Sequence, residues 1–182
     1  MEKIISRDEY YLGIAGEVAK PSTCFRRKIG ALIVRDDQII ATGYVGAPRK
    51  TKDSIEHGFC LRDRLNVPHG QRYELCRSVH AEQNAIINAA RAGVSLMRGD
   101  MYIFGSVPQT EKQVFAYPCF ICKKMIINAG LIRVICSNEE SGMKIFKTED
   151  WIKEWTNNDI VDDKEQYGQG LNGLKKFEPP FL

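Results

Sequence analysis

The stretch IGALIVRDDQIIATGYV, residues 29 to 45, constrains this chain more than any other. It holds two β-rich runs, 29–35 and 38–44, separated by Asp36-Asp37, and this reads as a hairpin. Beyond the hairpin, helical and strand patterns alternate. A helix is expected over about 79–92, with Gly93 as its stop. DMYIFGS supplies a strand near 100–105. Pro118 opens a helix to about Asn128, stopped by Gly130, and LIRVICS supplies another strand. Ahead of the hairpin, Ser6 and Glu9 form a capping box for a helix over 7–19, with Tyr10, Ile14 and Val18 at helical spacing. TEDWIKEW, from Thr148, is a short helix. Strands alternating with helices after a hairpin predict a mixed sheet with helices on both faces.

The 182 residues fit one domain, 1–182, with a core over about 6–137 and a C-terminal helix and tail over about 148–182. Residues 45–77 are turn-rich and read as an insertion. The glycines between 168 and 173, followed by EPPFL, suggest an arm or a mobile end. No apolar run reaches the roughly 18 residues that span a bilayer, and the N-terminus lacks the pattern of a secretory signal. A soluble, cytoplasmic protein is expected. With 26 Lys and Arg against 23 Asp and Glu, the charge is too balanced for a polynucleotide surface and better suited to a small anionic ligand. Six cysteines in a chain without an export signal point to metal or catalytic roles rather than disulfides.

Two clusters carry chemistry. HAE, residues 80 to 82, stands at the head of one helix, and PCFIC, residues 118 to 122, at the head of the next. Cys119 and Cys122 are three apart, so both thiols can face one point, where the helix dipole favours thiolate. By itself a CxxC is a dithiol redox pair or a zinc site, and a single His at a helix start is more often a cap or a packed side chain. Residues two apart on a helix point to nearly opposite sides, so His80 and Glu82 can share a site only off the helix N-terminus. The joint pattern is more specific than its parts. One imidazole and two thiolates leave a fourth tetrahedral position open, the pattern of a catalytic zinc rather than a structural one.

HAEQNAI with PCFIC resembles the zinc-dependent cytidine and deoxycytidylate deaminase superfamily, whose signature is H-x-E…P-C-x-x-C. STCFRRKIGALIV, ATGYVGAPR and CRSVHAEQNAI are most similar to bacterial deoxycytidylate deaminases. The resemblance implies a three-layer α/β/α fold with about five strands. It also implies hydrolysis of dCMP to dUMP and ammonia. His80, Cys119 and Cys122 become the Zn²⁺ ligands, and Glu82 the proton carrier between water, ring nitrogen and departing ammonia. Arg26 is the first candidate for the substrate phosphate, with a solvated basic face as the alternative. The resemblance further implies a homo-oligomer, often a hexamer, with dCTP and dTTP as effectors and Mg²⁺ accompanying them.

Three features stand outside that pattern. Val45 occupies a loop position where the family usually has Asn, and its side chain cannot hydrogen-bond. Cys24, His57, Cys60, His69 and Cys76 match no standard zinc finger, which leaves a second, structural zinc or buried free thiols as alternatives. SVPQTEKQVFAY, residues 106–117, reads as a plain surface loop, with the rim of a site as the alternative. The rival functions are deamination of another cytosine nucleoside, nucleotide or related amino-heterocycle, and a non-catalytic zinc-binding module of the same fold.

Overall fold

The computed structural model of the chain describes residues 4–68, 70–139 and 142–157. Helix α1, Arg7–Ala19, begins at the predicted capping box: Ser6 Oγ accepts from the Glu9 N–H, and Glu9 accepts from the Ser6 N–H at 2.6 Å. Its buried face is Tyr11, Leu12, Ala15 and Ala19, not the stripe 10/14/18, and Tyr10 is exposed. The hairpin forms as expected from β1, Lys28–Arg35, and β2, Gln38–Tyr44. Asp36 and Asp37 both have positive φ, a conformation that Asp tolerates better than most residues and that a two-residue hairpin turn demands.

The insertion folds into two single-turn helices, α2 at Ser54–His57 and α3 at Leu61–Arg64, then a 3₁₀ turn at Tyr73–Leu75. After it come α4, Ala81–Arg91; β3, Asp100–Ser106; α5, Phe120–Asn128; β4, Arg133–Ser137; β5, Met143–Lys147; and α6, Thr148–Asn157. The strands form one five-stranded sheet in the order β2-β1-β3-β4-β5, in which only β3 and β4 run parallel. The α5 crossover between them is what a parallel pair requires.

One strand had no counterpart in the residue patterns. β5 is MKIFK, five residues whose two lysines and immediate continuation into α6 at Thr148 disguise it as a lead-in to that helix. It closes the edge beside β4 through antiparallel pairing from Arg133–Lys147 to Ser137–Met143.

Side chains alternate across the sheet, so each face has its own core. Against α1 lie Leu32, Val34, Tyr102 and Ile135; against α4, α5 and α6 lie Ala31, Ile33, Met101, Ile103 and Val134. The central strands are almost wholly buried, as a sheet covered on both faces requires. Among the described residues no helix is long and apolar enough to cross a membrane. The glycine-rich tail lies outside the described residues.

Candidate active site

Helix α4 lies tightly on the edge strand because both surfaces are small. Ala81, Ala85 and Ala89, four apart, form a buried stripe on one side of the helix. A Cβ at Gly43 would fall 2.3 Å from the Ala85 nitrogen and 2.4 Å from the Ala81 oxygen, so β2 and α4 meet backbone to backbone. Two amides fix the register: Asn84 Nδ2 donates to the Tyr44 carbonyl at 2.8 Å, and Asn88 Nδ2 to the Thr42 carbonyl at 2.7 Å. This seating places the N-terminus of α4, with His80 as its N-cap residue, beside that of α5, whose N-cap residue is Cys119. The predicted opening of α5 at Pro118 shifts accordingly; Pro118 is fully buried just ahead of the cap.

The structure brings His80, Cys119 and Cys122 together, with one ligand atom from each within 4.8 Å of the others. His80 Nδ1 lies 3.5 Å from Cys119 Sγ and 3.4 Å from Cys122 Sγ. A tetrahedral zinc with Zn–S of about 2.3 Å and Zn–N of about 2.0 Å sets its N and S ligands roughly 3.6 Å apart. The three donors therefore fit zinc in spacing and chemistry, and a fourth position is left for a small ligand.

The four ionisable groups of the cluster share their protons unequally. Cys119 is pushed down to about 4, foremost because Cys122 donates a hydrogen bond to its sulfur, with His80 helping against the opposing effect of burial. Cys122 is pushed well up because it keeps the proton it donates, and burial adds to this. As a pair the thiols give up one proton easily and hold the second. Burial lowers the His80 imidazolium, but the Cys119 contact and the charge of Glu82 outweigh it and leave it raised. Glu82, 5% exposed, is raised chiefly by burial, partly offset by His80.

His80, Glu82 and Cys119 line an open cleft with a cavity volume of about 160 Å³. Its wall includes Arg26, Val45, Arg62 and Tyr73, along with residues 114–117. Residues 106–117 are thus more than a plain surface loop. Gln113 bridges back to Ser106, and the Val114 and Ala116 N–H groups bond the Gly105 and Ser137 carbonyls. Val114 to Tyr117 line the cleft.

Arg26 lines the cleft but is engaged: its Nη2 lies 2.5 Å from Asp63 Oδ1, and its Nε donates to the same oxygen at 2.7 Å. Val45 is buried in the cleft wall. Cys24, Cys60 and Cys76 also line it, while among the described residues only His80, Cys119 and Cys122 form a compact ligand set. His57 is not part of the lining, and His69 lies outside the described residues. Arg62 was missed from the sequence. Its one local signal is its place two residues after Cys60.

Residues 5–138 match the model of the cytidine and deoxycytidylate deaminase zinc-binding region. Deoxycytidylate deaminase of Mycobacterium phage D29 is 35% identical over 138 residues, covering 72% of this chain and 94% of that protein. Deoxycytidylate deaminase of Schizosaccharomyces pombe is 32% identical over 130 residues, covering 71% of this chain. The chain spans only 36% and 42% of the lengths of the S. pombe and Saccharomyces cerevisiae relatives. Among solved structures, the apo dCMP deaminase of cyanophage S-TIM5 aligns with a TM-score of 0.50 at 26% identity, over 71% of this chain and 82% of that one. Cytidine deaminase of Burkholderia pseudomallei shares the fold, with a TM-score of 0.54 at 15% identity over 80% and 95% of the two chains.

Proposed function

The chain belongs to the cytidine and deoxycytidylate deaminase zinc-binding family, and we propose that it is a zinc-dependent hydrolase converting dCMP to dUMP and ammonia. The observation that carries this reading is the buried Glu82 carboxyl beside the His80, Cys119 and Cys122 donors. A purely structural metal site has no use for that carboxylate. The dCMP assignment draws on the deoxycytidylate deaminases it resembles, and the arginines in the cleft wall suit an anionic substrate.

His80, Cys119 and Cys122 would hold the zinc. Bound there, zinc supplies the Lewis acidity that makes water nucleophilic near neutral pH. The chain's own residues manage the protons and the ring. Glu82 accepts a proton from water, delivers it to the ring nitrogen beside C4, and passes a second to the leaving amine, ending as the carboxylate it began as. Its burial suits a group that must alternate between charged and neutral forms. Water supplies the oxygen that C4 gains, and ammonia carries away the nitrogen. Ile29, Ile103 and Val45 contribute apolar surface that shields a ring from solvent.

Val45 favours one second reading: a deaminase of a related amino-heterocycle, because a valine there cannot hydrogen-bond the substrate. Ammonia release, measured with dCMP, CMP, deoxycytidine and dCTP, separates the two. Turnover of dCMP that disappears in Glu82→Gln supports the proposal. Inactivity on all four by zinc-loaded protein overturns it. Adding dCTP or dTTP with Mg²⁺ tests for effectors, and light scattering tests for an oligomer. The zinc count, one or two per chain, decides whether Cys24, Cys60 and Cys76 hold a second ion.

A further inference from the structure

Arg62 is the cleft residue that neither motif explains. It sits on α3, 5% exposed, and lines the cleft. Its Nη2 donates to the carbonyls of Pro68 at 3.2 Å and Gln71 at 2.5 Å, and its guanidinium lies over the Tyr73 ring at 4.7 Å. Tyr73 in turn meets the His80 ring edge-on at 4.9 Å. One aromatic ring thus separates this cation from the metal-binding imidazole.

Carbonyls and a ring face satisfy donors but do not neutralise a charge. The acids in this region are engaged elsewhere: Asp63 pairs with Arg26, and Glu74, which feels the charge of Arg62, pairs with Arg72. Arg62 Nε is buried and, among the described residues, has no hydrogen-bond partner. A buried cation with neutral partners and an orphaned donor is unfavourable unless something else answers it. Holding the Pro68 and Gln71 carbonyls accounts for Nη2 and leaves both the charge and Nε unexplained. Arg26, by contrast, already has its carboxylate.

We propose that Arg62 binds the phosphate of the nucleoside monophosphate substrate and so selects mononucleotide over nucleoside. The phosphate neutralises the guanidinium from the cleft, a charge-assisted contact. The proposal rests on the reading that the substrate is a cytosine mononucleotide, and it names a specificity residue outside both motifs.

The test is calorimetric titration of the zinc-loaded full chain with dUMP and with deoxyuridine, for wild type, Arg62→Gln and Arg62→Lys. Wild type should prefer dUMP. Arg62→Gln should weaken dUMP by about 50-fold while changing deoxyuridine by less than about threefold. Arg62→Lys keeps the charge but not the planar fork, and should weaken dUMP by about tenfold. Zinc content and thermal midpoint are measured on each protein, so that a structural loss is visible as such. If Arg62→Gln does not fold, Arg62→Lys decides. A folded variant that binds dUMP as wild type does, or that loses dUMP and deoxyuridine equally, overturns the proposal. Wild-type protein that holds zinc yet binds neither compound overturns the mononucleotide reading first and this inference with it.

Discussion

Two polar clusters, one partly buried and one more deeply buried, lie on opposite faces of the sheet, and they are built on opposite plans. On the α1 face, Arg133 joins Asp8 at 2.6 Å and Asp100 at 3.0 Å, and the Tyr102 hydroxyl donates to Asp8 at 2.8 Å. The guanidinium answers two carboxylates, and among the described residues Asp100 Oδ1 has no hydrogen-bond partner. On the α4 and α5 face, His80, Cys119, Cys122 and Glu82 put two thiols and a carboxyl around one imidazole. The first cluster closes on itself and stitches α1 to β3 and β4. The second gathers more acidic groups than its imidazole can balance, which is the arrangement a divalent cation completes. The difference separates a polar group that holds a fold from one that awaits something from outside.

The largest effect should come from altering the open cluster. Glu82→Gln is expected to lower kcat by about 10³-fold or more with zinc retained, and His80→Ala to lose zinc and activity together. Asp8→Asn, in the closed cluster, should leave the activity per zinc-loaded molecule within about twofold while lowering the urea midpoint. Activity measured beside metal content reads all three. Loss of turnover in a folded, zinc-loaded Asp8→Asn protein would break the division of labour between the faces.

A smaller effect tests the same division through packing. Gly43 and Gly30 are equivalent devices on opposite faces. A Cβ at Gly30 would fall 2.3 Å from the Ala15 oxygen and 2.5 Å from the Ala19 nitrogen, pressing on α1 as Gly43 presses on α4. Either change to Ala should cost about 3 kcal/mol, since backbone must move. Only Gly43→Ala displaces the helix that carries His80 and Glu82, so it alone should also lower kcat, by about 10–100-fold. Denaturation midpoints and kcat on the same two proteins check this. Equal losses of kcat would mean that the site depends on global rather than local seating.

The two clusters were also unequally legible in the sequence. HAE and PCxxC could be read because each sits at a helix start whose caps, stops and spacing are local. The hairpin was readable for the same reason, down to its Asp-Asp turn. What depends on distant chain was not. Asp63 occupies Arg26 from 37 residues away, and nothing near Arg26 shows it. Tyr10, Ile14 and Val18 have the period of a buried face, yet the sheet buries the neighbouring stripe, because Tyr11 reaches Tyr102 and the Asp37 carbonyl. Arg62 is charged and lies on a one-turn helix; only the wrapping of the insertion around it makes it part of the cleft.

The smallest expected effect sharpens the account of the closed cluster, where burial and ion pairing pull Asp100 in opposite directions. Burial raises its carboxyl, Arg133 lowers it, and burial wins, with Asp8 adding to the rise. The folded chain therefore binds this proton more readily than the unfolded chain, whose Asp titrates near about 4. A group of that kind contributes stability that is fully present below its unfolded value and is lost as pH rises through its folded one. Asp100→Asn removes the titration while keeping a polar group of similar size. At pH 7 the variant should lie within about 1 kcal/mol of wild type, and wild type should gain on it as the pH falls toward 4. Paired urea denaturations at pH 7, 5.5 and 4 measure the gap, and the common acid response of the thiol and imidazole cluster cancels in the difference. A gap that moves the other way, with wild type losing on the variant as acid is added, would mean that the Arg133 pair outweighs burial. The closed cluster would then stabilise the fold through its charges, rather than being merely neutralised where the sheet buries it.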